Sequence, residues 1–227
     1  MSEPFSPLAG FAGAARLFPL PNLVFFPHVM QPLHIFEPRY RQMTADALAG
    51  DRLIALVLPK PGWEKEYAGC PPLYTVATLG AIVADQKLED GRYNILLRGL
   101  SRIHLLQDIP HCKLYRKAKA ELLVESPPSA PMKERKLRKS LLQAAPDLFA
   151  NKGAVLEQFR KLSKSDLPLG TLCDLFAFAL PLDVEFKQSI LEELDIVTRT
   201  QRLLDHLATL SKPLAAELPF PPEFSPN

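Results

Sequence analysis

Residues 74–98 read YTVATLGAIVADQKLEDGRYNILLR. Two apolar-rich runs, Tyr74 to Leu88 and Arg92 to Arg98, flank the dipeptide Asp90-Gly91. Asp-Gly is a strong hairpin signal, because a two-residue reversal needs residues that tolerate positive φ. In the returning run Tyr93, Ile95 and Leu97 alternate with Arg92, Asn94 and Arg98, the period of a strand with one buried face. The β-branched content of the first run predicts a long strand bent at Gly80, and Gly99 is expected to break the second. This hairpin makes the first half of the chain β structure.

The same punctuation extends in both directions. Downstream, Ile103 and Leu105 alternate with Arg102 and His104, and His111 to Val124 reads as one more strand. Arg98 and Arg102 then flank a hairpin-like turn at Gly99. Upstream, Leu53 to Leu58 is a continuous apolar run between Asp51 and Pro59, which predicts a strand buried on both faces. A helix is expected from Pro38 to Ala49, with proline in its first turn, Glu37 capping it, Met43, Ala47 and Leu48 at helical spacing, and Gly50 as its stop. Arg16 to Leu20, Leu23 to Phe26 and Gln31 to Phe36 are short extended runs separated by Pro21-Asn22 and Pro27-His28. The strands lie too close in sequence for parallel crossovers, so a mostly antiparallel, closed or half-closed β-barrel with one early helix is expected.

At Ser126-Pro127-Pro128-Ser129-Ala130-Pro131 the pattern changes. Three prolines in six residues make a semi-rigid linker, after which the apolar period becomes helical. Helices are expected over Met132 to Ala145, over Asn151 to Leu162, from a cap at Asp166 or Ser165 with Pro168 in the first turn to Leu180, and from Val184 to Ser211 with Asp183 as its cap. The fold class is therefore α+β: a β-rich subdomain over residues 14–125, a helical bundle over 132–212, and a Pro-rich tail over 213–227.

Composition sets the outer bounds. The chain has 227 residues, 47% hydrophobic and 23% charged, as a globular core requires. A net charge of +2 gives no global signal for nucleic acid or membrane. No run approaches the roughly 18 apolar residues of a membrane span, and the N-terminus does not read as a secretion signal. Cys70, Cys112 and Cys173 are odd in number and widely spaced, which points to buried, reduced thiols in a cytoplasmic protein.

Three ordered stretches resemble the substrate-binding N-terminal domain family of Lon proteases. The first is Leu17-Phe18-Pro19-Leu20-Pro21-Asn22-Leu23-Val24-Phe25-Phe26-Pro27 followed by Gln31-Pro32-Leu33-His34-Ile35-Phe36-Glu37-Pro38-Arg39-Tyr40. The second is Arg98-Gly99-Leu100-Ser101-Arg102, with Arg98 where the family carries an acid. The third is Leu180-Pro181-Leu182 with Lys187-Gln188, Leu191-Glu192, Leu194-Asp195 and Arg199. The resemblance spans about residues 16–210 and implies a PUA-like barrel followed by helices, in a stand-alone, non-catalytic polypeptide-binding or adaptor protein. Its implied partners are unfolded or extended polypeptide, or a protease or chaperone. No G-x-x-x-x-G-K-[ST] phosphate loop occurs, and the family's serine–lysine peptidase lies beyond the matched region. No enzyme activity and no cofactor are therefore expected.

Candidate binding residues fall into two sets. Trp63 is the only tryptophan and sits in the long loop from Lys60 to Pro72, where length itself suggests function. Together with Tyr67, Phe36 and Arg39, and near Phe25 and Phe26, it is the expected peptide-binding surface. The alternative is an RNA-binding surface at Lys113, Arg116, Lys117 and Lys119. These lie in the only local charge asymmetry, nine Lys or Arg over residues 111–140 against Glu121, Glu125 and Glu134. Nucleic acid is the weaker reading, because only Tyr115 offers a stacking platform there. His28, His34, His104, His111 and His206 show no helical metal-ligand spacing, so no metal site is expected.

Overall fold

The structure is a computed structural model and describes residues 7–66, 70–148 and 166–209. The expected helix from Asn151 to Leu162 and the Pro-rich tail lie outside the described residues. The chain divides into two compact units, one ending at Leu123 and one beginning at Val124.

The first unit is built on six strands: β1 (Ala14–Pro19), β2 (Met30–Ile35), β3 (Leu53–Val57), β4 (Val76–Lys87), β5 (Tyr93–Asp108) and β6 (Lys117–Leu122). One helix, α1 (Pro38–Leu48), lies between β2 and β3. The sheet order is β2-β5-β4-β3-β1-β6, and β6 also pairs with β5. The pairings β5-β4-β3-β1-β6 thus return to β5, with β2 extending β5 outside that ring.

The sheet is mixed. β1 and β3 run parallel, with Leu17 opposite Ala55 and Phe18 opposite Leu56. This corrects the expectation that short spacings exclude a parallel pair. The crossover spans both β2 and α1, which is length enough to carry the chain back. Side chains on these two strands alternate between two cores. Leu17, Leu53, Ala55 and Val57 join Leu79 and Ile103 in one cluster. Phe18 faces the other way and meets the Tyr40 ring of α1 at 4.5 Å. Every residue of β3 is buried, which is why it reads as an unbroken apolar run.

Asp90-Gly91 makes the expected reversal: Gly91 has φ 81°, and the Leu88 amide donates to the Arg92 carbonyl at 2.8 Å. Gly99 does not break the strand. β5 runs through it, and its role is to admit another backbone. A Cβ there would collide with the Phe26 carbonyl, while the Gly99 amide donates to Val29 O at 2.8 Å and the His28 amide donates to Gly99 O at 2.9 Å. There is accordingly no hairpin at Arg98 and Arg102. Arg98 is exposed and Arg102 is buried. Leu23 to Phe26 is not a strand either. Val24, Phe25 and Phe26 are in the core, and the Thr78 hydroxyl donates to Phe25 O at 2.5 Å. The expected strand from His111 shortens to β6, because residues before it form a loop. Glu37 sits at the N-cap position of α1 without a side-chain cap bond, because its carboxylate pairs with Arg39 at 2.9 Å.

The second unit contains α2 (Pro131–Leu148), α3 (Leu169–Ala179), α4 (Val184–Glu192) and α5 (Ile196–Thr209). The single helix expected from Val184 to Ser211 is two. The break falls where Ser126 forms a bridge with Asp195: the Ser126 amide donates to Leu194 O at 2.9 Å, and the Ile196 amide donates to Ser126 O at 3.2 Å. The Asp195 carboxylate then caps α5 by accepting from the Thr198 amide at 2.7 Å, and hydrogen bonds from Thr198 hold that carboxyl below its usual range. Asp183, expected to cap, makes no side-chain cap bond.

Arg199 of α5 is fully buried. Its Nη1 lies 2.8 Å from Glu125 and donates to Glu193 O at 2.9 Å, and its Nε lies 3.4 Å from Asp174. Burial pushes the guanidinium down, but the charges of Asp174 and Glu125 outweigh it and hold the group above its ordinary value.

Two outcomes follow. Gly99→Ala should lower stability by about 2 kcal/mol or more, since neither backbone can retreat; urea melting of the β unit within 0.5 kcal/mol of wild type would contradict the close approach. Asp174→Ala should cost about 3 kcal/mol by leaving a buried cation under-compensated, seen as a lower thermal midpoint for the helical circular-dichroism signal.

Candidate functional site

The β-rich unit carries a cleft of about 330 Å³, at the small end of ligand pockets and sized for one or two side chains. Four pieces of chain form it. The end of β1 and the turn after it give Leu17, Pro19 and Pro21. The first turn of α1 gives Arg39 and Tyr40. The loop between β3 and β4 gives Pro59, Trp63, Cys70 and Pro71. The segment joining β5 to β6 gives Asp108 to His111 and Lys113 to Lys117.

Local sequence explains each wall. Pro38 starts α1 without losing a hydrogen bond, which sets Arg39 and Tyr40 at the cleft, with the guanidinium 4.6 Å from the Tyr40 ring centre. Trp63 opens a 3-10 turn, Trp63–Glu66, and is half-buried. Arg116 braces the loop opposite: it donates to Pro71 O at 2.7 Å and to the Asp108 carboxylate at 2.8 Å.

The last wall is pinned to α1 through Asp46. The Tyr115 hydroxyl donates to Asp46 at 2.8 Å, Lys113 Nζ lies 3.2 Å from the same carboxylate, and the Leu114 amide donates to Gln42 Oε1 at 2.8 Å. Burial pushes the Asp46 carboxyl up, but hydrogen bonds from Tyr115 and Lys113 outweigh that and leave it lowered. Burial, followed by the Asp46 hydrogen bond, raises the Tyr115 phenol to about 12. The lining holds Arg39, Lys113, Arg116 and Lys117 against Asp108, so four cations face one carboxylate.

Both sequence-derived sets meet here in part. Trp63 and Arg39 line the cleft, as do Lys113, Arg116 and Lys117. Phe36 does not; its ring stacks on His34 at 6.2 Å. Tyr67 lies outside the described residues. Lys119 is exposed on β6, opposite Ala14 and off the cleft. Phe25 and Phe26 are core residues and present no surface. Tyr115, the one expected stacking platform for a base, is buried and hydrogen-bonded to Asp46. Sequence reasoning missed Gln42, Asp46 and Asp108. The available signal was the i, i+4 spacing of Gln42 and Asp46, which aims both at one loop.

The cysteines differ from expectation. Cys70 and Cys112 are exposed because they sit in the loops that wall the cleft, and only Cys173 is buried, its thiol pushed up to about 12 by burial and by Asp174. Among the described residues no group of three or more His, Cys, Asp or Glu could hold a metal ion, and no helix is long and apolar enough to cross a membrane.

Comparison with known proteins gives one family. The model of the ATP-dependent protease La (LON) substrate-binding domain matches residues 14–209. Lon protease 2 of Myxococcus xanthus is 28% identical over 194 residues, covering 84% of this chain and 23% of that protein. Lon protease of Escherichia coli (strain K12) is 32% identical over 191 residues, 83% of this chain and 24% of that protein. The chain thus spans about a quarter of the length of these relatives. Among solved structures, a Lon N-terminal domain protein from Xanthomonas campestris superposes with a TM-score of 0.61 at 21% identity, over 85% of this chain and 97% of that one. The N-terminal domain of Mycobacterium avium complex Lon protease gives 0.67 at 12% identity, over 87% and 99%. These likenesses establish the fold.

Tyr115→Phe should remove one phenol ionising near pH 12 from the ultraviolet titration. Because the folded value lies above the ordinary 10.0, Tyr115 contributes stability that is complete below about pH 10 and lost as pH rises towards 12. The variant should lose that alkaline component, whereas loss of a phenol ionising near the ordinary 10.0 would contradict the buried Asp46 contact.

Proposed function

The chain belongs to the family of Lon substrate-binding domains, and from that premise we propose that it is a non-catalytic polypeptide-binding or adaptor protein whose cleft on the β-rich unit holds an extended or unfolded segment. The matched region is a substrate-binding domain and not a catalytic one, which supports a role in holding rather than cutting. The observation that carries the reading is the cleft itself: an indole, a tyrosine and several prolines converge in a concave site of 330 Å³, the composition expected where side chains of a partner are captured. A partner protease or chaperone would receive the held segment. The ring of strand pairings supports describing the sheet as a small closed barrel of the PUA-like kind. The free thiols of Cys70 and Cys112 fit a reducing, cytoplasmic setting.

An RNA-binding role finds no support. Lys113 and Arg116 are engaged with Asp46 and Asp108, Lys119 is elsewhere, and Tyr115 is buried against Asp46.

Trp63 is the only tryptophan, so intrinsic fluorescence reports on the cleft directly. Titrating the protein with a reduced, carboxymethylated polypeptide that contains no tryptophan should shift and saturate that emission. With labelled polypeptide, Trp63→Ala should weaken binding about tenfold, roughly 1.4 kcal/mol. No binding at high micromolar polypeptide, or equal affinity of the variant, would overturn the reading.

A further inference from the structure

We infer that the cleft selects segments in which an aromatic side chain stands next to side-chain carboxylates, so that acidic-aromatic stretches are its preferred ligand class; this rests on the polypeptide-binding reading above.

Two features of the walls lead there. The first is their poverty in backbone donors. Pro19, Pro21, Pro59, Pro71 and Pro110 all line the cleft, and proline has no N–H to offer. A segment lying there cannot be held by a continuous ladder, as it would be at an open strand edge. Recognition must come from side chains, and proline faces with an indole and a phenol suit a flat aromatic ring.

The second feature is charge. Arg39, Lys113, Arg116 and Lys117 stand against one lining carboxylate, Asp108. They are not equivalent. Arg116 is committed to Asp108 and the Pro71 carbonyl, Lys113 to Asp46, and Arg39 to Glu37. Lys117 is half-buried at the start of β6 and, among the described residues, makes no ion pair. The other three lining cations already meet protein carboxylates, so a ligand carboxylate brought beside Lys117 meets a charge that no carboxylate among the described residues engages. The net positive lining repels a basic segment for the same reason.

The test uses the full chain and twelve-residue peptides, each with one central tryptophan or phenylalanine flanked by Glu, by Gln or by Lys. Their ends are acetylated and amidated, so side chains carry the only carboxylates. The Glu peptide should bind at least tenfold more tightly than the Lys peptide, with Gln between. Lys117→Glu should reduce or reverse that order, Lys117→Gln should flatten it, and Trp63→Ala should weaken all three peptides together. Circular dichroism and thermal melting of the variants verify folding, and the exposed Lys119→Glu serves as the charge control that leaves the order intact. Equal binding of Glu and Lys peptides, with unfolded polypeptide still bound, would sink the charge selection and leave the polypeptide reading standing. Loss of both would sink both. An order unchanged in Lys117→Glu would place the carboxylate contact elsewhere and overturn the assignment. Displacement of the peptide by polyuridylate with a steep salt dependence would replace the acidic peptide by nucleic acid.

Discussion

β1 and β3 lie side by side and point the same way, and the rest of the β-rich unit follows from that. Two parallel neighbours cannot be joined by a turn; the chain must leave one end of the sheet and return to the other. Here the return path contains β2 and α1. The helix packs on β1, β2 and β3, so it needs one apolar face, which Tyr40, Met43, Thr44 and Ala47 supply. Its polar positions are then free to hold something else. Gln42 and Asp46 hold the loop after β5, and the first turn carries Arg39 and Tyr40. The cleft is thus a by-product of crossover geometry: one helix provides both a wall and the clamp for the wall opposite.

Most of the ion pairs around the cleft are partly exposed, and such pairs contribute little each, about 0–1 kcal/mol. Their value is geometric. Arg116 ties three pieces of chain, through Asp108, the Pro71 carbonyl and its own backbone carbonyl, which accepts from the Leu17 amide at 2.9 Å. Asp46 gathers a phenol and an ammonium. Loops held this way lose less entropy when a ligand arrives, so a small cleft can use more of its contact energy for binding. In the helical unit Arg199 plays a comparable part at greater depth, drawing Glu125, Asp174 and the Glu193 carbonyl to one guanidinium.

Much of the fold was legible because it is written in local periods. The Asp90-Gly91 reversal, the doubly buried β3 and the Pro38 helix start each depend on a few neighbouring residues. What was not legible depends on residues far apart. Gly99 looks like a breaker until the Phe26 carbonyl is placed against it. The helix expected to run unbroken past Asp195 is interrupted by Ser126, about seventy positions earlier, and hydrophobic period carries no trace of that bond. The site shows the same division. Trp63 and Arg39 stand out by their own chemistry, and Lys113, Arg116 and Lys117 by charge; the sequence presents the two sets as alternatives, yet the fold sets them around one cavity. Nothing local marks Asp46, because its importance lies in what it touches.

The proline walls have a further consequence on the proposed reading of the cleft as a holder of unfolded segments. Unfolded segments aggregate by finding free strand edges and extending them, copy upon copy. A holder that offered such an edge would seed the very assembly it should prevent. Walls with missing N–H groups cannot serve as that template. On that reading the cleft would retain a segment by its side chains while its proline-rich walls offer no continuous edge for the segment's backbone to extend.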